Sequence, residues 1–373
     1  MRIFLTLSVQ ASSGFNDLTY KYIFYDTLMK MGHDIVFYPY HEAINTSHAK
    51  KDSDLSTISE KIYDHFILHQ KQKPFNLFLS YYHSGQVIPD LYRSINEHVF
   101  SVNYTTNFHQ MDQYLPLLKE SNLSIYVSKD AQAYFKENNI NGYYMPFAGL
   151  SSNLNFNKEK NGKISFIGTS YGQRANYLWR CLQKELPVEI YGVNWINNHG
   201  VRSFLRTLRL EYQLITNNEN VIDTAYRCLN DSILSEIAKK YSKLIQGPLS
   251  DSGYTSLLAK SSIVLNIPES RFGHDYTNPN VLIGANLRDF EVPTAGSFLL
   301  TQSNDEIKSL FEDKKEIETF SNEWEMIDKA QFYMKHPSLL LKIAKAGHNR
   351  IKKDHLWEHR FNSLFTHLEN NYL

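Results

Sequence analysis

The stretch Asn286-Leu-Arg-Asp-Phe-Glu-Val-Pro-Thr-Ala-Gly-Ser-Phe-Leu-Leu300 decides how this chain is read. It places a carboxylate, Glu291, on a short helix. The helix ends in the small-residue turn Thr294-Ala295-Gly296 and passes into an apolar strand. Phe290 and Val292 flank Glu291, poor neighbours for a solvated surface charge. A carboxylate in such surroundings is costly unless something pairs with it. A ligand with neighbouring hydroxyls, such as a ribose, would supply donors, as happens in nucleotide-binding α/β folds. Arg288, on the same helix face, would supply a salt bridge instead. The sequence leaves both readings open.

The chain around this segment is long enough for two domains: 373 residues exceed what one small core organises. The hydrophobic fraction of 42% is that of a globular protein. Lys+Arg and Asp+Glu both number 39, so no bulk charge draws the chain to nucleic acid. The 25 Tyr and 22 Phe could stack on sugars or bases, but they are also ordinary core material. Two cysteines, Cys181 and Cys228, lie far apart outside any CxxC pattern and point to a reducing cytosol. The N-terminal Met1-Arg-Ile-Phe-Leu-Thr-Leu-Ser-Val9 is too short an apolar run for a signal peptide and reads as a first strand. No stretch approaches bilayer-spanning length, so a cytoplasmic protein is expected.

Strand and helix patterns alternate twice. Strands are expected at Ile3–Val9, Asp34–Tyr38, Phe75–Leu79, Val99–Tyr104, Leu123–Val127 and Tyr143–Phe147. Helices are expected at Leu18–Met31, stopped by Gly32, and around Ile58–His69. The polar, Asn-rich run between Gly149 and Gly162 has a linker's composition. Alternation then restarts with strands at Lys163–Gly168, Val188–Gly192, Ser262–Ile267 and Ser297–Leu300, a helix at Arg174–Leu186, and a mostly helical tail from Asp305. The order predicts an α/β protein with two parallel sheets, each covered on both faces. The domains are expected at 1–150 and 160–352, with a helix over 353–373 that packs back on the first. Two such domains create a cleft facing the carboxyl ends of their strands, where ligands bind. Residues 193–240 break the alternation. Val201, Leu205, Leu208 and Tyr212 share one helical face, and Arg202, Arg206 and Arg209 form the adjoining one. Such a helix can lie on an anionic membrane as a peripheral contact. The plainer reading, which we adopt at this point, is a surface helix packed on its own domain.

Strand ends supply the candidate site residues. Gly14, after the first strand, would let backbone approach a phosphate. His83 and His109 follow two further strands and could act as a general base or bind a sugar hydroxyl. With 15 His in the chain, a chance loop position explains any one of them as well. In the second half, amides at Gly168 and Thr169 could cradle a diphosphate and Arg174 could neutralise it. Amides near Gly284–Asn286 and the Arg288 side chain could do the same at the next helix start. The ordinary alternative is a plain βα turn with a surface Arg. GxxxxGK[ST], GxGxxG and HExxH are all absent, and no paired carboxylates suggest a metal.

These features together resemble GT-B glycosyltransferases. The likeness is strongest to the spore-maturation CgeB-like branch. That branch has a pattern like Ser-x-Ile-x-Leu-Asn followed by Asn-x-Arg-x-Phe-Glu-x-x-x-x-Gly-x-x-Leu-Leu. Here these are Ser261–Asn266 and Asn286–Leu300. Leu310–Ile317, Ile343–Arg350, His355 and Arg360 also resemble its tail, and Leu28–Asp34 resembles the Leu-x-x-x-Gly-His start of many such enzymes.

The resemblance implies two Rossmann-like domains and a nucleotide-diphosphate sugar as donor substrate, with no other cofactor and no metal. It implies that Glu291 holds ribose hydroxyls and that Arg174 and the amides of Asn286–Arg288 hold the diphosphate. His109 matches a position near the donor sugar. Related retaining enzymes often carry Glu-x7-Glu, whereas Ile283 stands eight before Glu291. That departure leaves donor sugar and stereochemistry open. The glycan, lipid or protein acceptor matches nothing specific. Two rivals share the architecture. A nucleotide-sugar epimerase would turn over donor alone. A carbohydrate-binding protein would bind free sugar.

Overall fold

The computed structural model describes residues 1–7, 19–46, 54–106, 111–170, 172–196, 199–216, 221–268 and 284–373. Packing divides the chain into two units, Met1–Ser151 with Asp354–Leu373, and Ser152–Lys353.

In the first unit, β1 (Arg2–Leu7), β2 (Asp34–Phe37), β3 (Leu77–Tyr81), β4 (Ser101–Thr105), β5 (Leu123–Tyr126) and β6 (Gly142–Tyr144) form one parallel sheet in the order β2-β1-β3-β4-β5-β6. The central strands are buried apart from Tyr81 at the end of β3, as expected when helices cover both faces. The helix Leu55–Gln72 starts on Asp54, whose side chain accepts from Ser56 N, and packs Ile58, Ile62 and Phe66 against Phe4 and Phe78. The segment read as one helix over Leu18–Met31 contains a π-turn at Tyr22–Asp26, where the Thr27 hydroxyl donates to the Tyr22 carbonyl. The terminal helix Trp357–Asn371 belongs to this unit. Trp357 and Phe361 pack on Phe24, and the Arg360 guanidinium donates to the carbonyls of Pro146 and Phe147.

The second unit has its own parallel sheet of six strands. β7 (Ile164–Ile167), β8 (Val188–Tyr191), β9 (Ile245–Gln246), β10 (Ile263–Asn266), β11 (Phe298–Gln302) and β12 (Glu318–Phe320) run in the order β12-β11-β10-β7-β8-β9. The chain grows outward from β7 to β9, then returns to lay β10 on the other side of β7, so the order reverses between β7 and β10. The crevice at such a switch point is where doubly wound sheets bind ligands.

Two strands escaped the sequence reading. β9 is two residues long. β12 was assigned to a helical tail because Glu318 interrupts its apolar pattern. Glu318 is buried against Lys329 Nζ at 2.7 Å and the Tyr333 hydroxyl. A paired carboxylate of this kind is tolerated inside. The interruption at 193–240 is a pair of packed helices, His199–Ile215 and Val221–Lys240.

Candidate functional site

The switch point is built by residues whose hydrogen bonds can be followed one by one. Arg174 opens the helix Arg174–Gln183 after β7 and is buried. Its Nε donates to Ile267 O at 2.9 Å and its Nη1 to Thr169 O at 3.1 Å. One guanidinium thus ties the carboxyl end of β7 to that of β10, across the reversal. Planar, forked donors suit this double contact.

Gly168 lies where the notional phosphate turn begins, but its polar groups are taken. Its N–H donates to Tyr191 O at 2.8 Å and its carbonyl accepts from Trp195 Nε1 at 2.7 Å. The expected cradle at Gly168 therefore does not exist as drawn: that amide serves the sheet ladder. Gly192, at φ 138°, lets β8 come this close, since a Cβ there would sit 2.4 Å from Gly168 O. The neighbouring Thr169 N–H has no acceptor among the described residues.

Across the switch point stands the helix Leu287–Thr294. Asn286 caps it. The Asn286 side chain accepts from Arg288 N at 2.9 Å, and Asp289 Oδ2 accepts from Asn286 N at 2.9 Å, a reciprocal capping box. Asp289 is fully buried and also accepts from Asn266 Nδ2 at 2.6 Å and Thr301 Oγ1 at 2.7 Å. Burial raises its pKa to about 6, while the amide, hydroxyl and carboxamide donors pull the other way. Glu306 accepts from Ala285 N at 2.9 Å. The amides of Ala285, Asn286 and Arg288, expected for a diphosphate, are thus already bonded within the protein. Those of Gly284 and Leu287 have no acceptor among the described residues.

Glu291 sits on this helix with its side chain 15% exposed. Its Oε2 accepts from the Tyr254 hydroxyl, and the same hydroxyl accepts from Arg288 Nη1. The direct Arg288–Glu291 separation is 3.8 Å. The Arg288 guanidinium also lies over the Tyr254 ring at 4.8 Å. Arg288 is therefore a partner of Glu291 through Oε2, as one of the two sequence readings expects, while Oε1 bonds no described residue. Tyr254, on the helix Asp251–Lys260, was missed. Its distance of 37 positions from Glu291 hides the contact from any local pattern. Burial pushes the Tyr254 hydroxyl well above its ordinary pKa, so it stays a donor at neutral pH.

In the first unit, His83 follows β3 and is half-buried. Its Nδ1 accepts from Gly85 N at 3.2 Å, which places the neutral ring's proton on Nε2. In that form Nε2 donates a hydrogen bond and does not take a proton. Burial lowers the His83 pKa, favouring this neutral form. Gly14 and His109 lie outside the described residues. Among the described residues no cluster of His, Cys, Asp or Glu could hold a metal ion.

The same architecture of two doubly wound parallel sheets is found in solved glycosyltransferase structures. The chain belongs to the glycosyl transferase-like family, whose model matches residues 174–366. It is a glycosyltransferase, and its α/β architecture is GT-B. No curated protein matches the sequence. Among solved structures, it is similar to sucrose-phosphate synthase from Thermosynechococcus elongatus (TM-score 0.61, 9% identity, 99% of this chain and 100% of that one). It is also similar to a glycosyltransferase from Rickettsia africae (TM-score 0.60, 11% identity, 99% and 98%). A third is Anabaena HepE in complex with UDP-glucose (TM-score 0.58, 10% identity, 99% of each chain).

Proposed function

We propose that this glycosyltransferase takes its sugar from a nucleoside-diphosphate sugar bound at the carboxyl ends of β7 and β10. The observation that carries the reading is Glu291. It is a shielded carboxylate beside the switch point, one oxygen held by Tyr254 and the other without a partner among the described residues. Ribose hydroxyls are donors of the right kind for that oxygen. HepE, of the same architecture, is seen with UDP-glucose, which adds weight to a uridine donor.

In the reaction the bond from the anomeric carbon to the diphosphate breaks, and the diphosphate leaves with the electron pair. The anomeric carbon bonds to an acceptor oxygen or nitrogen, which loses its proton. Charge growing on the diphosphate is met by Arg288, by the amides of Thr169, Gly284 and Leu287, and by the Arg174 guanidinium beneath them. No metal takes part, so a chelator leaves turnover unchanged. His109 is the group proposed to act at the sugar. The Nε2 proton of His83 suits a hydrogen bond to a hydroxyl. The Asn-x-Arg-x-Phe-Glu segment supports a place in the spore-maturation CgeB-like branch. The donor's chemistry and the two free thiols support a cytoplasmic reaction.

Calorimetric titration with UDP and GDP tests the site. Glu291→Ala should weaken nucleotide binding about tenfold, the scale of losing hydrogen bonds to a charged group. Unchanged affinity for both nucleotides would remove Glu291 from the site. Turnover of donor with no acceptor, to an epimerised sugar, would replace transfer by epimerisation.

A further inference from the structure

Of the four tryptophans, Trp195 and Trp357 are buried and Trp179 is half-buried, but Trp324 is 52% exposed. It stands in the first turn of the helix Glu323–Lys335, on the rim of a depression of about 460 Å³ in the second unit. The last turns of the helices Arg174–Gln183 and Val221–Lys240 complete the rim. The Arg180 guanidinium lies 4.5 Å from the centroid of the Trp324 ring and 5.9 Å from that of Trp179. Its Nε is 3.4 Å from Glu323 Oε1. These contacts fix the plane of the fork, yet Nη1 and Nη2 hydrogen-bond no described residue. Lys184 is exposed, and its ammonium has no partner among the described residues. It follows Arg180 by four positions, so the two share one helix face. Lys240, on the second helix, is paired to Glu236 at 2.7 Å. Basic residues at helix ends complement the macrodipole, which accounts for Lys184 and Lys240. It accounts for neither the exposed indole nor the guanidinium laid against it.

We infer that this depression is a second binding site of the glycosyltransferase, and that its ligand is an acidic saccharide. An exposed indole offers the apolar C–H face of a sugar ring a flat surface to lie on. Arg180 presents a forked pair of donors, already oriented, to a carboxylate or phosphate on that sugar, and Lys184 adds a second cation on the same face. Gln183 and Glu236 supply a donor and acceptors for hydroxyls around the ring. Arg180, Lys184 and Lys240 face Glu236 and Glu323, which leaves one positive charge for an anion. The volume is that of a small-molecule site. Lys184 lies ten residues beyond Arg174, about 15 Å along the helix axis. A saccharide held here therefore does not compete with a nucleotide at the switch point, and the enzyme can keep hold of an acidic glycan while transfer proceeds elsewhere.

The test is calorimetric titration of the full chain at low salt, with and without saturating UDP. The titrants are trigalacturonate, mannose 6-phosphate, the neutral maltotriose and inorganic phosphate. Trigalacturonate or mannose 6-phosphate should bind about tenfold more tightly than maltotriose or phosphate, and added salt should weaken that binding. The tighter of the two acidic sugars tells whether a carboxylate or a phosphate is preferred. Trp324→Ala should lower affinity for it about tenfold and Lys184→Ala about fivefold, with UDP affinity unchanged in both. Lys184→Ala changes an exposed side chain and carries the test if Trp324→Ala does not fold, judged by circular dichroism. Absence of wild-type binding to both acidic sugars overturns the inference, as does wild-type affinity in the two variants. Maltotriose binding as tightly removes the charge, and phosphate binding as tightly removes the sugar; either result overturns it. Displacement of the acidic sugar by UDP places it in the donor site and also overturns it.

Discussion

Tyr254 and Glu291, 37 residues apart on separate helices, share one hydrogen bond in which the buried hydroxyl donates to the carboxylate. The same oxygen accepts from Arg288, so Tyr254 stands between a cation and an anion that are otherwise 3.8 Å apart. Removing it lets Arg288 close directly on Glu291. Tyr254→Phe should therefore weaken nucleotide binding about 5- to 20-fold while lowering stability by only about 1 kcal/mol. Calorimetric titration beside a thermal melt separates the two effects. A large stability loss with intact binding would make Tyr254 a packing residue only.

Arg174 holds two carbonyls together across the strand reversal. Arg174→Ala leaves both without donors in a buried place, a loss of about 2–4 kcal/mol. In a unit of this size the melting midpoint should fall by about 5–15 °C. Lysine offers a point donor where a fork is needed, so Arg174→Lys should recover less than half of the loss. A midpoint within 2 °C (~0.5 kcal/mol) of wild type for the alanine variant would show that the bridge is dispensable.

Asp289 has a folded-state pKa of about 6, above the ordinary carboxyl value. The native state thus holds this proton more tightly than the unfolded chain does. The group's contribution to stability is fullest below about pH 4, falls as pH rises to about 6, and is flat above that. Measured against Asp289→Asn, wild-type stability should decline across that window by up to about 3 kcal/mol. Urea melts of both proteins from pH 4 to 7.5 give the difference directly. A difference that does not vary with pH would contradict the raised pKa.

Gly192 is held at φ 138° with its α-carbon against the Gly168 carbonyl. Alanine meets both a conformational penalty and a clash with backbone. Gly192→Ala should cost about 3 kcal/mol or more and disturb the Gly168–Arg174 turn. Alanine at Gly247, where nothing lies within 4 Å, is the control and should be nearly neutral. Equal melting midpoints for the two variants would remove the close approach as a constraint.

Much of the architecture was legible because it rests on local signals. Apolar runs such as Ile263–Asn266 and Phe298–Gln302 mark buried parallel strands, and Asn286 followed by Asp289 marks a helix start. β12 was not legible, because Glu318 carries a charge whose partner, Lys329, comes from the following helix. Glu291 was legible as an unusual carboxylate, but its hydrogen bond with Tyr254 was not. The amides proposed for phosphate illustrate the same limit. Gly168, Asn286 and Arg288 sit at the expected turns, yet their N–H groups are spent on Tyr191, Asp289 and Asn286.

By itself the sequence determined most of the strands and helices and that they alternate in two runs. Periodicity and capping act over a few residues, and chain order dictates parallel crossovers. The tertiary structure alone decided which polar groups remain for a ligand and left Leu205, Leu208 and Tyr212 exposed. Hydrogen-bond partners and burial are set by residues distant in sequence. One donor can satisfy one acceptor, so the allocation exists only once every competitor has been brought into place.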